Sequence, residues 1–243
     1  RVSPLGLGES YAAWLVTDGA ASVVIRLARR RPEDMACPMI DEFRAGPLMP
    51  DGIGSRPLAM DDSADNPLGA PYLVSTFTPG SPRTPDAWDL PLLRAHARRL
   101  AVLHQRRFAL AGPVGGTGSR LDIVDEFDRA DSWWRSAHPE VAETPEAAAL
   151  ARLIRPRLAA AAPAFDGIDY ALIHGDLVAT NVVVDPSGTP RYIDWEWARI
   201  GDVANDLALI GGRITGGPWY VPMDADTLDE FLREYHSARA DHA

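Results

Sequence analysis

The sequence predicts an α+β protein of two lobes, a small β-rich lobe over residues 1–77 and a larger, mainly helical lobe over residues 78–243. Three observations predict it. β-type apolar runs crowd the first 77 residues, helical periodicity takes over near residue 92, and the breaker run Thr78-Pro79-Gly80-Ser81-Pro82 falls between them.

The elements follow in order. Ser10–Thr17 and Ala21–Leu27 read as strands, and Asp18-Gly19 between them is a hairpin signal. Leu5-Gly6-Leu7-Gly8-Glu9-Ser10 ahead of them reads as a glycine-containing turn. Met39–Leu48 reads as a short helix stopped by Pro50, and Pro71–Phe77 as a further strand. In the second lobe, Leu92–Phe108 carries Leu93, Ala97, Leu100, Ala101 and His104 at helical spacing, with arginines opposite. Leu121–Ala137 and Glu146–Ala162 continue as helices. Tyr170–Asp185 reads as strand-like runs bracketing a polar loop, with Arg191-Tyr192-Ile193 returning as a hairpin. Helices resume at Asn205 and Asp226.

The bulk properties narrow the function classes. Of 243 residues, 46% are hydrophobic and 24% charged, the balance of a globular protein with ample core. Apolar runs fall well short of the roughly 20 residues of a membrane span, and no secretory signal is visible, so no membrane partner is expected. The chain opens on Arg1 rather than Met, so a natural start upstream is expected. A single cysteine, Cys37, allows no intrachain disulfide and suits a reducing cytoplasm, the expected location. A net charge of −10 argues against a nucleic-acid partner and favours a cationic small molecule. The 24 basic residues are all arginine, so any side-chain cation that grips an anion here is a guanidinium.

The chemistry concentrates in His174-Gly175-Asp176-Leu177-Val178-Ala179-Thr180-Asn181 and Tyr192-Ile193-Asp194-Trp195-Glu196. An Asp in a loop, an Asn five positions on, and a second Asp returning across a hairpin can meet in one cleft. Phosphoryl transfer needs that set: a carboxylate to orient and deprotonate a hydroxyl, and oxygen ligands for a magnesium ion. A polar loop that merely caps a helix, or a hydrolytic metal site built on His174 and Asp176, are the competing readings. The scatter of the six histidines disfavours the second.

The stretch from Leu172 to Leu209 resembles the catalytic segment of the aminoglycoside phosphotransferase and choline kinase family, which has the two-lobed protein-kinase-like fold. The resemblance implies that Asp176 is the catalytic base, that Asn181 and Asp194 are metal ligands, and that His174 braces the loop. Gly201-Asp202 with Asp206-Leu207-Ala208 is similar to another family segment, in which Asp202 and Asp206 would support loop and helix; Val203 stands where proline is usual. In the small lobe the resemblance implies that Gly6 and Gly8 belong to a phosphate-covering turn. It puts Arg26 on the nucleotide phosphates, oriented by Glu42, with Asp41 and Glu33 as rival partners. Ser75, Thr76, Phe77 and Thr78 form the expected adenine-binding hinge, and Glu196 and Trp197 are expected near the substrate. Trp133, Trp134, Trp195 and Trp219 are further aromatic candidates. The implied activity is transfer of a phosphoryl group from ATP or GTP, with Mg²⁺, to the hydroxyl of a small molecule. An antibiotic such as an aminoglycoside is the leading expectation. The alternatives are a metabolic acceptor (choline, a sugar or an amino alcohol) and a nucleotide-binding pseudoenzyme.

Overall fold

In the computed structural model, which describes all residues except 36, 64, 169, 213–216 and 241–243 and the side chain of Glu33, the chain opens with β1 (Val2–Leu7), β2 (Tyr11–Thr17) and β3 (Ser22–Ala28). The Asp18 carboxylate accepts from Ala20 N at 2.9 Å and Ala21 N at 2.8 Å, which closes the hairpin with Thr17 opposite Ser22. The expected turn over Leu5–Ser10 is shorter than predicted. Leu5 to Leu7 belong to β1, because Gly6 and Leu7 pair with Ala13 and Ala12 across a bulge, and only Gly8–Ser10 turns.

Helix α1 (Met39–Ala45) runs into a 3₁₀ turn before Pro50, and β4 (Pro57–Asp61) and β5 (Tyr72–Thr76) complete the sheet. Its order is β1-β2-β3-β5-β4, antiparallel throughout. Tyr11, Met39 and Leu73 form a small buried core with Phe43 and Met60 around it.

The rest of the chain is β6 (Ser81–Pro82), α2 (Leu90–Leu103), β7 (Arg107–Phe108), α3 (Ile123–Ala137), α4 (Pro139–Ala142), α5 (Pro145–Ala161), β8 (Tyr170–Ile173), β9 (Val182–Val184), β10 (Pro190–Tyr192), β11 (Arg199–Gly201), α6 (Ala204–Leu209), β12 (Gly211–Gly212), β13 (Val221–Pro222) and α7 (Ala225–Ala240). The connector is not free chain. Its β6 pairs with β9, and Gly80, at φ 134°, lies so close that a Cβ would fall 2.6 Å from the Val184 carbonyl oxygen. Only glycine lets the connector pass there.

Helix α2 starts at Asp89, whose carboxylate accepts from Leu92 N at 2.9 Å, a cap worth about 1 kcal/mol. Its buried face, Leu93, His96, Ala97, Leu100 and Ala101, shares the main core with Phe231 and Tyr235 of α7 and with Tyr170, Leu172, Tyr192 and Trp195. That core supports β8–β10, the platform of the polar loop. By contrast, α3 and α5 bury no residue fully. Among the described residues no helix is long and apolar enough to cross a membrane.

Candidate active site

The polar loop leaves β8 at Ile173 and is held from three sides. His174 is fully buried. Its Nε2 donates to the Ile193 carbonyl at 2.9 Å, so its Nδ1 is the acceptor for Asp176 N at 3.3 Å, and one neutral tautomer satisfies both bonds. Asp206, on α6 and fully buried, accepts from His174 N at 2.8 Å and Gly175 N at 2.9 Å. His104 Nε2, just past the end of α2, lies 3.2 Å from the same carboxylate, and His104 Nδ1 is 3.0 Å from the Tyr235 hydroxyl. Burial works to raise the Asp206 carboxyl. The hydrogen bond and charge from His104, with help from His174, overcome it and hold the group below the ordinary aspartate range. The loop's far end is fixed by Ala179 N donating to the Trp219 carbonyl at 2.7 Å.

Gly175 makes the bend possible. At φ 84° it is left-handed, and a Cβ there would fall 2.3 Å from the Trp197 carbonyl oxygen.

Within this frame the expected residues meet. Asn181 Nδ2 donates at 2.9 Å both to the Asp176 carbonyl and to Asp176 Oδ2. Asn181 O accepts from Ile193 N at 3.0 Å, which ties the loop to the residue before Asp194. Asp194 sits at φ 66°, a conformation that costs a non-glycine residue roughly 1–3 kcal/mol. Its carboxylate Oδ1 meets Arg26 Nη1 from β3, while Arg26 Nη2 meets Glu42 Oε2 from α1. Arg26 also stacks 4.7 Å from the Tyr11 ring centre. Burial tends to lower its pKa, but Glu42 and Asp194 reverse this, so the net direction is upward. The Asp176 carboxyl is raised, chiefly by burial, with Asp194 adding to the effect against His174 and Asn181.

Of the rival partners for Arg26, Asp41 faces elsewhere. Successive helix positions are about 100° apart, so Glu42 points at the sheet while Asp41 lines a cavity. The Glu33 side chain lies outside the described residues. Among the described residues no hydrogen bond joins Asp202 to the loop. Asp202 caps α6, accepting from Ala204 N at 2.9 Å, and its support for the loop is indirect, through the helix that carries Asp206. Glu196 is half-buried and pushed up to about 7, by burial first and by Asp194 next, with Ser10 of the β1–β2 turn as its hydrogen-bond partner.

In the hinge, Thr76 bonds Arg56 through N–H and hydroxyl at 2.9 Å each, and Phe77 N reaches Ser22 O at 3.4 Å. Ser75 is buried in β5. Thr78 makes no backbone hydrogen bond among the described residues. Trp195 is fully buried, 4.5 Å from the His174 ring, and is core; Trp133, Trp197 and Trp219 are exposed. Trp134 lies against His138, 6.1 Å between ring centres.

A cavity of about 700 Å³ lies between α1, the loop before α3, α3 itself and the segment after Asp194. Asp41, Glu126, Trp197, Arg199, Asp202 and Asn205 line it. Asp176, Asn181 and Asp194 do not. The cavity shares a wall with the loop through Asn205, whose amide reaches the Gly175 carbonyl at 3.4 Å. His104, Tyr235 and the Trp219 carbonyl were not foreseen as site supports. The local signal was a histidine at the end of the apolar face of α2.

An antiparallel five-stranded sheet with one helix, ion-paired through Arg26 to a polar loop on a helical lobe, defines the two-lobed protein-kinase-like class. The chain belongs to the phosphotransferase enzyme family, whose profile matches residues 1–243. Viomycin phosphotransferase of Streptomyces vinaceus is 32% identical over 148 residues, 58% of this chain and 50% of that protein, so the match spans about half the length of that relative. Among solved structures, the gentamicin complex of APH(2")-IIa superposes with a TM-score of 0.67 at 15% identity, covering 100% of this chain and 80% of the other. An ADP and hygromycin B complex of an APH(4)-Ia mutant gives 0.64 at 16%, covering 100% and 79%. Choline kinase from Cryptosporidium parvum gives 0.64 at 14%, covering 99% and 73%. At these identities the likeness is one of fold.

Proposed function

We propose that the chain is an O-phosphotransferase that moves the γ-phosphoryl group of ATP or GTP to a hydroxyl of a small antibiotic-like molecule. Residues 1–77 form the nucleotide lobe and residues 78–243 the catalytic and acceptor lobe. One observation carries the reading: Asp176 with Asn181, and Asp194 with Arg26 and Glu42, form two bonded sets from four separate segments, tied together where Ile193 N, next to Asp194, donates to the Asn181 carbonyl. The viomycin phosphotransferase match supports an antibiotic acceptor.

Asn181 occupies Asp176 Oδ2, which leaves Oδ1 to accept the proton of the attacking hydroxyl. The acceptor oxygen then bonds to the γ-phosphorus as the bond to the bridging oxygen breaks and the nucleoside diphosphate leaves. A carboxyl raised by burial is a better proton acceptor than an ordinary aspartate. Arg26, fixed by Glu42, would hold phosphate oxygens through the N–H groups that Glu42 and Asp194 do not take. Thr78, whose backbone makes no hydrogen bond among the described residues, would meet the adenine edge. The acceptor occupies the cavity beside Gly175, with Trp197 as its aromatic wall.

The oxygen set suits Mg²⁺. Asn181 commits its amide N–H group to Asp176, leaving Oδ1 as a donor, and Asp194 already accepts one cation, Arg26, on Oδ1. These two residues would hold the ion, which neutralises phosphate charge when bound. The test is a panel of hydroxyl compounds incubated with Mg-ATP and Mg-GTP, with product read by mass and Asp176→Asn as control. Nucleotide-dependent product from the wild type alone is expected. Absence of product together with absence of nucleotide binding would refute the reading.

A further inference from the structure

The cavity proposed for the acceptor carries both signs of charge, and most of its charges are already engaged. Glu126 pairs with Arg129, three residues later on α3. Asp202 caps α6, and Asp41 lies 4.0 Å from Arg44. Arg199 differs. It is exposed on β11, and among the described residues its guanidinium makes no ion pair or hydrogen bond. Its charge nevertheless reaches across the cavity to the Cys37 thiol, which burial, Glu196 and Asp41 push up and Arg199 pulls down. The guanidinium is thus a planar fork of donors set in a concave site without an acceptor.

A ligand carrying only amines and hydroxyls would meet repulsion there. We infer that Arg199 reads an anionic or carbonyl oxygen of the acceptor. The acceptor is then a hydroxyl compound bearing a carboxylate or equivalent oxygen group for Arg199, rather than a pure polycation. This rests on the reading of the cavity as the acceptor site.

The chain's single cysteine lines the same cavity and serves as a reporter. Alkylation of Cys37 in the intact chain by iodoacetate, an anion, is compared with alkylation by neutral iodoacetamide at one alkaline pH. The ratio of the two rates should fall about five-fold in Arg199→Ala, the size expected for one charge several ångströms away in a solvated cleft. It should return in Arg199→Lys, which keeps the charge. A ratio indifferent to Arg199, or a thiol that neither reagent reaches in the folded chain, overturns the inference.

A second arm compares phosphorylation of choline with that of carnitine, its counterpart bearing a carboxylate. The wild type should favour carnitine, and Arg199→Ala should lose that preference. Preference for choline in the wild type overturns the inference. An Arg199-dependent alkylation ratio with neither turnover of any hydroxyl compound nor nucleotide binding would support the anion site and refute the kinase reading, so the two failures are distinguishable.

Discussion

Arg26→Ala has consequences that can be worked out from the structure. Arg26 is 8% exposed and Glu42 2%, so truncating the arginine strands a carboxylate in the small-lobe core. Breaking a buried pair by removing one partner costs about 3–5 kcal/mol. At roughly 2–4 °C per kcal/mol for a chain of this size, the melting temperature should drop by at least about 6 °C. Arg26→Ala with Glu42→Gln should recover most of that loss, because the stranded charge is gone. Catalysis should not recover. A charge-assisted hydrogen bond to phosphate is worth about 1.5–3 kcal/mol, so both variants should lose roughly 10- to 100-fold in kcat/KM for nucleotide. Differential scanning calorimetry and steady-state kinetics on the same preparations separate the two effects. If the double variant is no more stable than Arg26→Ala, the buried-charge argument fails. If the double variant recovers both stability and kcat/KM, Arg26 is a structural cation and does not hold phosphate.

Three further outcomes are expected. Asp176→Asn should lower kcat by about 10²–10⁴ with the nucleotide KM within a few-fold of wild type, measured by product formation under saturating acceptor. Gly175→Ala should cost stability and activity together, since the added Cβ meets backbone at 2.3 Å and no side chain can move aside; urea titration and turnover check both. His96 is fully buried, and burial lowers its pKa to about 3, so the unfolded chain takes up a proton near pH 6.5 that the folded chain refuses. Stability should therefore fall as pH drops below about 6.5, losing about 2 kcal/mol between pH 7 and pH 5, and His96→Gln should lose correspondingly less in urea unfolding at the two pH values.

What could be read from the sequence alone was what depends on neighbours along the chain. Asp18-Gly19 closes its hairpin through bonds spanning two and three residues. The face of α2 follows from helical spacing. Asp176 and Asn181 are five residues apart, and Asp194 returns on the next hairpin, so their meeting is nearly a local event. The Arg26–Glu42 pairing was implied by the family resemblance, with Asp41 and Glu33 as rivals. The sequence did not show β1, the strands β4 and β11, or the contact of Arg26 with Asp194. Nor did it show the support of the loop by His104, Tyr235 and the Trp219 carbonyl, or the choice between Asp41 and Glu42. Asp206 contacts His104 across 102 residues, and Arg26 contacts Asp194 across 168. Periodicity and turn chemistry report which way a side chain points relative to its own segment. The segment it then meets is decided by how sheet, connector and helices pack, and the charge that Arg199 presents to the cavity exists only once they have done so.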